Sequence, residues 1–147
     1  MFRHILCPVD GSPQSNRALE LAADLAERDR AKLTLLHVGH STSPPEGLES
    51  YLSLEFKNTP QFATQDLIGQ RIVEEAAALA QHGRKIVPEV AVDRGDPAEG
   101  VLAMAKRGQV DGIVLGRRGH GRLAGLLLGS VSSKVAQLAP CTTILVP

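Results

Sequence analysis

Two cysteines in 147 residues are too few for a disulfide scaffold. Cys7 falls in the first predicted strand and Cys141 just before the last. Both read as small core residues rather than as a bridge or a nucleophile. No apolar run approaches the length of a membrane span. The first residues carry one Arg and a brief run, Ile5-Leu6-Cys7, broken by Pro8 and Asp10, which excludes a signal peptide and sets a cytoplasmic expectation. Neither charge is in excess: sixteen Lys/Arg stand against sixteen Asp/Glu. That balance argues against a dedicated nucleic-acid binder, which would show a basic surplus. His37 and His40 have no third ligand within sequence reach, so no metal site is expected.

What is present is a regular alternation of short apolar runs and amphipathic segments. A chain of this length is most simply one domain, spanning residues 1–147 and able to bury a core. Residues 3–9 read as a buried strand. Asp10-Gly11-Ser12 turns the chain, and Ser12 as N-cap with Pro13 behind it starts a helix. Ala18, Leu19, Ala22, Ala23, Leu25 and Ala26 form its apolar face. Residues 33–38 form a second strand. Residues 39–60 begin as a loop rich in Ser, Thr and Pro. They also hold Leu48, Tyr51, Leu52, Leu54 and Phe56, and read as a flexible insertion, either a flap that meets a partner or a variable segment.

Helical periodicity returns over residues 61–82 and ends near Gly83. Residues 86–92 make a third strand, which Pro88 confines to a sheet edge. Asp96-Pro97-Ala98-Glu99 has the pattern of a capping box and starts a helix that stops at Gly108. Strand four covers 111–116. A glycine-rich loop follows, then a short helix ended by Pro140, then strand five, Thr142 to Val146. This order predicts an α/β fold: an open, Rossmann-like, five-stranded parallel sheet, order 3-2-1-4-5, with helices on both faces. Strands one and four are then neighbours at the switch point where such sheets bind ligands. Asp10 and Gly116 converge there.

The loop itself reads Gly116-x2-Gly119-x9-Gly129-Ser130. It lacks the Gly-Lys-Ser/Thr ending of a P-loop and does not follow the first strand as a dinucleotide fingerprint does. Strand, glycines and helix N-terminus in sequence suit a phosphate: glycines admit close approach and the helix start supplies N–H groups and partial positive charge. Ser130 stands where an N-cap hydroxyl would. Six Lys/Arg and one acid, Asp111, lie between Lys106 and Lys134. A small anionic ligand explains this local excess better than a polyanion. Without the glycine spacing, the same loop is equally well a plain turn.

These motifs resemble the universal stress protein family, in its ATP-binding branch. The resemblance covers nearly the whole chain: Ile5-Leu6-Cys7-Pro8-Val9-Asp10-Gly11-Ser12, Leu35-Leu36-His37-Val38, Gly95-Asp96-Pro97, Val110-Asp111-Gly112-Ile113-Val114-Leu115-Gly116, Leu128-Gly129-Ser130-Val131-Ser132 and Thr143-Ile144-Leu145-Val146-Pro147. It implies a nucleotide-binding stress-response protein, dimeric through strand five, with ATP (or ADP or AMP) bound and Mg²⁺ carried by the phosphates. By position, Pro8, Val9, Asp10 and Val38 would serve the adenine and ribose end. Leu115 and Gly116 would lie against the ribose. Gly119, Gly129, Ser130, Val131 and Ser132 would serve the phosphates. Read alone, Asp10 is a turn residue and Val38 is core. Arg118 either clamps a phosphate or points with Arg117 into solvent, and His120 either touches a phosphate or has no special part.

Three functions follow. The first is an ATP-binding regulator that changes partners or oligomeric state with its nucleotide. The second is an enzyme, a slow ATP hydrolase or an adenylyl transferase. No carboxylate lies inside the glycine loop to act as general base, which favours a non-enzyme. The third is a nucleotide-free interaction module of the same family, disfavoured by the three spaced glycines and Ser130. Nucleic-acid and membrane partners are not expected.

Overall fold

The computed structural model describes residues 1–40, 61–118 and 128–147, with side chains from residue 65 onward in the second stretch. The segment 41–60, together with Gly119, His120 and the rest of the loop through residue 127, lies outside the described residues. In chain order the elements are β1 (His4–Pro8), α1 (Pro13–Asp29), β2 (Lys32–Gly39), α2 (Gln61–Gln81), β3 (Glu89–Arg94), α3 (Pro97–Arg107), β4 (Gly112–Gly116), α4 (Ser130–Leu138) and β5 (Thr142–Val146). All strand pairs are parallel, and the sheet order is β3-β2-β1-β4-β5, as the sequence predicts.

The central strands β1, β2 and β4 are mainly apolar because both sheet faces are covered there, whereas the edge strand β3 is largely exposed. Period-two alternation sends Ile5 and Cys7 of β1 to one face and Leu6 to the other. The first face, with Leu33, Leu35 and Val114, meets α1 through Ala18, Leu19 and Ala22 and α2 through Val73, Ala76 and Ala80. The second, with Leu36, Ile113 and Leu115, meets α3 through Val101 and Ala105 and α4 through Val135. Cys7 is fully buried in the first cluster, and burial pushes its thiol pKa up to about 12, which leaves it unreactive.

Local chemistry sets most element boundaries. Ser12 Oγ accepts from Ser15 N at 3.2 Å and caps α1, with Pro13 at the first helical position. Asp96 Oδ1 accepts from Ala98 N and Glu99 N and caps α3. Glu99 reaches Lys134 of α4 at 3.4 Å. Most boundaries shift from the sequence reading by one to three residues, and three of the shifts have a local cause. Strand β3 starts at Glu89, after Pro88, because a proline has no N–H to give a ladder. Strand β2 extends through Gly39, whose carbonyl accepts from Gly95 N at 2.9 Å, so the connection begins one residue later than expected. Strand β4 starts at Gly112, since the Asp111 carboxylate turns back to accept from the amides of Arg3 and His4.

Candidate functional site

The register Ile5↔Gly112 and Leu6↔Ile113 brings the ends of β1 and β4 out together at the carboxyl edge of the sheet. The first turn of α1 closes over them. A Cβ built on Gly116 would lie 3.1 Å from the Cβ and carbonyl carbon of Gln14 and 3.2 Å from Arg118 O. A side chain at 116 would press on the first turn of α1 more tightly than ordinary contacts, so the packing of α1 on the end of β4 favours a glycine there.

The turn before α1 is held by a local net. Asp10 Oδ1 accepts from Ser12 N at 2.9 Å, and Asp10 N donates to Ser15 Oγ at 3.1 Å. Val9 N donates to Leu36 O at 2.8 Å, and His37 Nδ1 donates to Val9 O, also at 2.8 Å. The side chains of Val9 and Leu115 are buried, so only their backbone is available to a ligand. Val38 is half-buried, and its methyls lie against Gly100 of α3.

The described ends of the glycine loop are pinned at one carbonyl. Arg117 O accepts from Gly129 N at 2.9 Å and from Ser132 Oγ at 2.6 Å, while Arg117 N donates to Val146 O at 2.7 Å. Ser132 is buried, and its hydroxyl closes the base of the loop. The N-cap of α4 is Gly129, one residue before the Ser130 expected from the sequence, and Ser130 is the exposed first residue of the helix. Ser is the commoner cap, but here the chain bends at the glycine. Gly129 has φ −71° and ψ 166°, which any residue adopts. A Cβ there would stand 3.4 Å from Arg118 Cα, an ordinary contact. Unlike Gly116, Gly129 is not favoured by packing.

Three of the helix starts on this edge of the sheet have described N-caps. Those starting at Pro13 and Pro97 carry side-chain caps, and α4 carries none. Beside it, the Nε atoms of Arg117 and Arg118 are buried and have no hydrogen-bond partner among the described residues. The arginines thus do not simply point into solvent. Buried cationic donors without an acceptor, next to a helix start without a cap, fit an anionic group such as a phosphate. Gly119 and His120 fall outside the described residues, and Arg118 is the last residue described before them.

Sequence reasoning misses Ser15 and His37, whose partners lie five and twenty-eight residues away. The sequence also contains a His-x-Gly-His tetrapeptide, His37-Val38-Gly39-His40, the spacing used by adenylyl transferases. It lies at the end of β2, where His37 is spent on Val9 O and Gly39 pairs with Gly95. Among the described residues no cluster of His, Cys, Asp and Glu could hold a metal ion, and no helix is long and apolar enough to cross a membrane.

The whole chain, residues 1–147, matches the family model for the universal stress protein family. Universal stress protein YxiE of Bacillus subtilis is 35% identical over 154 aligned positions that cover 99% of each chain. The structure of universal stress protein UspA from Lactobacillus plantarum superposes with a TM-score of 0.77 at 26% identity, covering 99% of this chain and 97% of that one. A universal stress protein solved in complex with cAMP gives a TM-score of 0.73 at 25% identity, covering 99% and 97%. Sheet order and these likenesses agree: the chain belongs to the universal stress protein family.

Proposed function

We propose that this protein is a regulator that binds an adenine nucleotide, ATP in the first place, at the carboxyl ends of β1 and β4. The observation that carries the reading is the pairing of an uncapped α4 with two buried, partnerless arginine Nε atoms. Both features belong to the segment that joins β4 to α4, and an anion bound there would supply an acceptor for the arginines and for the open helix start. The similar protein solved with cAMP adds that an adenine nucleotide suits this fold.

In this reading the Val9–Asp10 turn and Val38 hold adenine and ribose, with Pro8 beside them. Leu115 and Gly116 form the floor under the ribose. The amides of Ser130 and Val131 receive the phosphates, Gly129 leaves room beside them while its own N–H stays on Arg117 O, Gly119 and His120 complete the loop, and Arg117 and Arg118 supply charge. Ser132 keeps the loop closed. Mg²⁺ arrives on the phosphates rather than on protein ligands. The missing general base makes the nucleotide a signal rather than a substrate.

The test is identification of nucleotide released from freshly purified protein by heat, followed by calorimetric titration with ATP, ADP and AMP. ATP bound more tightly than AMP supports the reading. No released nucleotide together with no heat of binding at millimolar ATP overturns it.

The same reading includes a homodimer through β5. That strand is an edge of the sheet, and Ile144, Leu145 and Val146 on it are only half-buried. An exposed apolar edge invites pairing with a second copy.

A further inference from the structure

The turn that presents Asp10 is fixed by a side chain from another strand. The peptide unit joining Val9 to Asp10 is held at both of its polar atoms. Its carbonyl accepts from His37 Nδ1 at 2.8 Å, and its N–H donates to Ser15 Oγ at 3.1 Å. One clamp comes from β2 and the other from the first turn of α1. A peptide plane held on both sides cannot rotate, and rotation of this plane is the motion that would re-aim Asp10.

The imidazole is itself held in place. Gly69 lies in the interior of α2, where glycine costs about 1 kcal/mol against alanine. A Cβ at that position would stand 3.0 Å from His37 Cδ2 and 2.9 Å from Val92 Cγ1. The helix backbone therefore comes down onto the ring, and the glycine gives the ring its room. Because Val9 O can only accept, the neutral imidazole carries its proton on Nδ1.

We infer that His37 is a positioning residue for the nucleotide site: its Nδ1–H, with Ser15 Oγ, locks the Val9–Asp10 peptide so that Asp10 is presented ready to bind. The inference rests on the nucleotide reading given above. It assigns His37 no contact with the nucleotide. Its contribution is to keep the binding-competent turn populated in the free protein.

The test is calorimetric ATP affinity of four full-length variants, with thermal unfolding of each in the absence of nucleotide. His37→Leu fills the space and removes the donor; the apparent Kd rises by roughly five- to tenfold, the worth of one net hydrogen bond. His37→Asn places an amide donor close to Nδ1 and restores affinity to within about twofold. His37→Gln carries its amide a carbon further out and does not restore it. Ser15→Ala removes the other clamp without touching β2 and weakens ATP in the same direction. Long-range ¹⁵N–¹H spectra of wild type show the His37 proton on Nδ1. A folded His37→Leu with unchanged affinity overturns the inference, and so does an Asn variant as weak as the Leu variant. If wild type binds ATP and Asp10→Ala abolishes binding while the His37 and Ser15 variants keep it, only this inference fails. If wild type binds no adenine nucleotide, the functional reading fails first and this one with it.

Discussion

Gly129→Asp separates the stability of the free protein from its response to nucleotide. Gly129 is the N-cap of α4 and already has the extended backbone that capping residues adopt. A Cβ there makes only ordinary contacts, the nearest 3.4 Å from Arg118 Cα. An aspartate at this position caps the amides of the first turn and places negative charge at the positive end of the helix. Together these stabilise the free protein by about 0.5–1 kcal/mol. For a domain of this size that is a rise in Tm of roughly 1–5 °C. The same carboxylate occupies and repels the phosphate position. ATP at a hundred times its Kd stabilises wild type by about 2.7 kcal/mol, a rise of roughly 5–10 °C, and the variant loses most of it. Scanning calorimetry with and without Mg-ATP reads both effects in one sample. Gly129→Asn supplies the cap without the charge, so the difference between the variants measures repulsion. A folded Gly129→Asp that keeps the full ATP shift refutes the phosphate site. A free variant less stable than wild type refutes the account of the cap.

Arg117→Met and Arg118→Met each remove a buried Nε that has no partner, so neither destabilises the free protein by more than about 1 kcal/mol, while each weakens ATP more than AMP; equal loss for both nucleotides in calorimetry counts against a phosphate role. Ile144→Pro removes a ladder N–H from the β5 edge; light scattering is expected to show a dimer for wild type and a monomer for the variant, and a wild-type monomer at micromolar concentration contradicts the interface. Asp111 is pushed up by burial, but the amides of His4 and Arg3 outweigh this and hold its carboxyl below the usual carboxylate range. Its folded pKa is lower than its unfolded one, so its contribution is present above about pH 4 and is lost as pH falls through the folded value. Asp111→Asn therefore lowers Tm at pH 7 and costs progressively less as pH falls below the usual carboxylate range; a loss that does not change with pH rules out the ionised carboxylate as the cause.

The fold was legible where the deciding chemistry is local. Ser12-Pro13 and Asp96-Pro97 mark helix starts because cap and first helical residue are adjacent in the chain. Sheet order follows from the alternation of elements; β3 is an edge as expected, but Pro88 lies before it and is not what keeps it there. The cap of α4 misled by one residue because Ser130 has the better capping side chain, whereas the bend falls at Gly129. The clamp on the Val9–Asp10 peptide was not legible. Ser15 reads as an ordinary helix residue and His37 as a strand residue, and only tertiary pairing brings them to one peptide unit. Gly69 is visible in the sequence as an oddity inside a helix, but its reason, the imidazole beneath it, belongs to a different strand.

The two glycines at the described ends of the loop show why site and scaffold must be argued separately. Gly116 and Gly129 belong to one sequence pattern, yet packing favours a glycine only at the first. A side chain at 116 would crowd α1, so that glycine has a reason whether or not anything binds. A side chain at 129 fits, and a capping one would improve the free protein by a few tenths of a kcal/mol or more. The Nε atoms of Arg117 and Arg118 stand nearby, buried and without a partner among the described residues. An uncapped helix start and two such atoms thus stand at the ends of one loop, while α1 and α3 are capped by Ser12 and Asp96. Features that do not serve the free fold, gathered at one loop, suit a site adapted to something else. An anion would give all three an acceptor at once, which is why Gly129, rather than Gly116, is the position at which the nucleotide reading is most exposed to disproof.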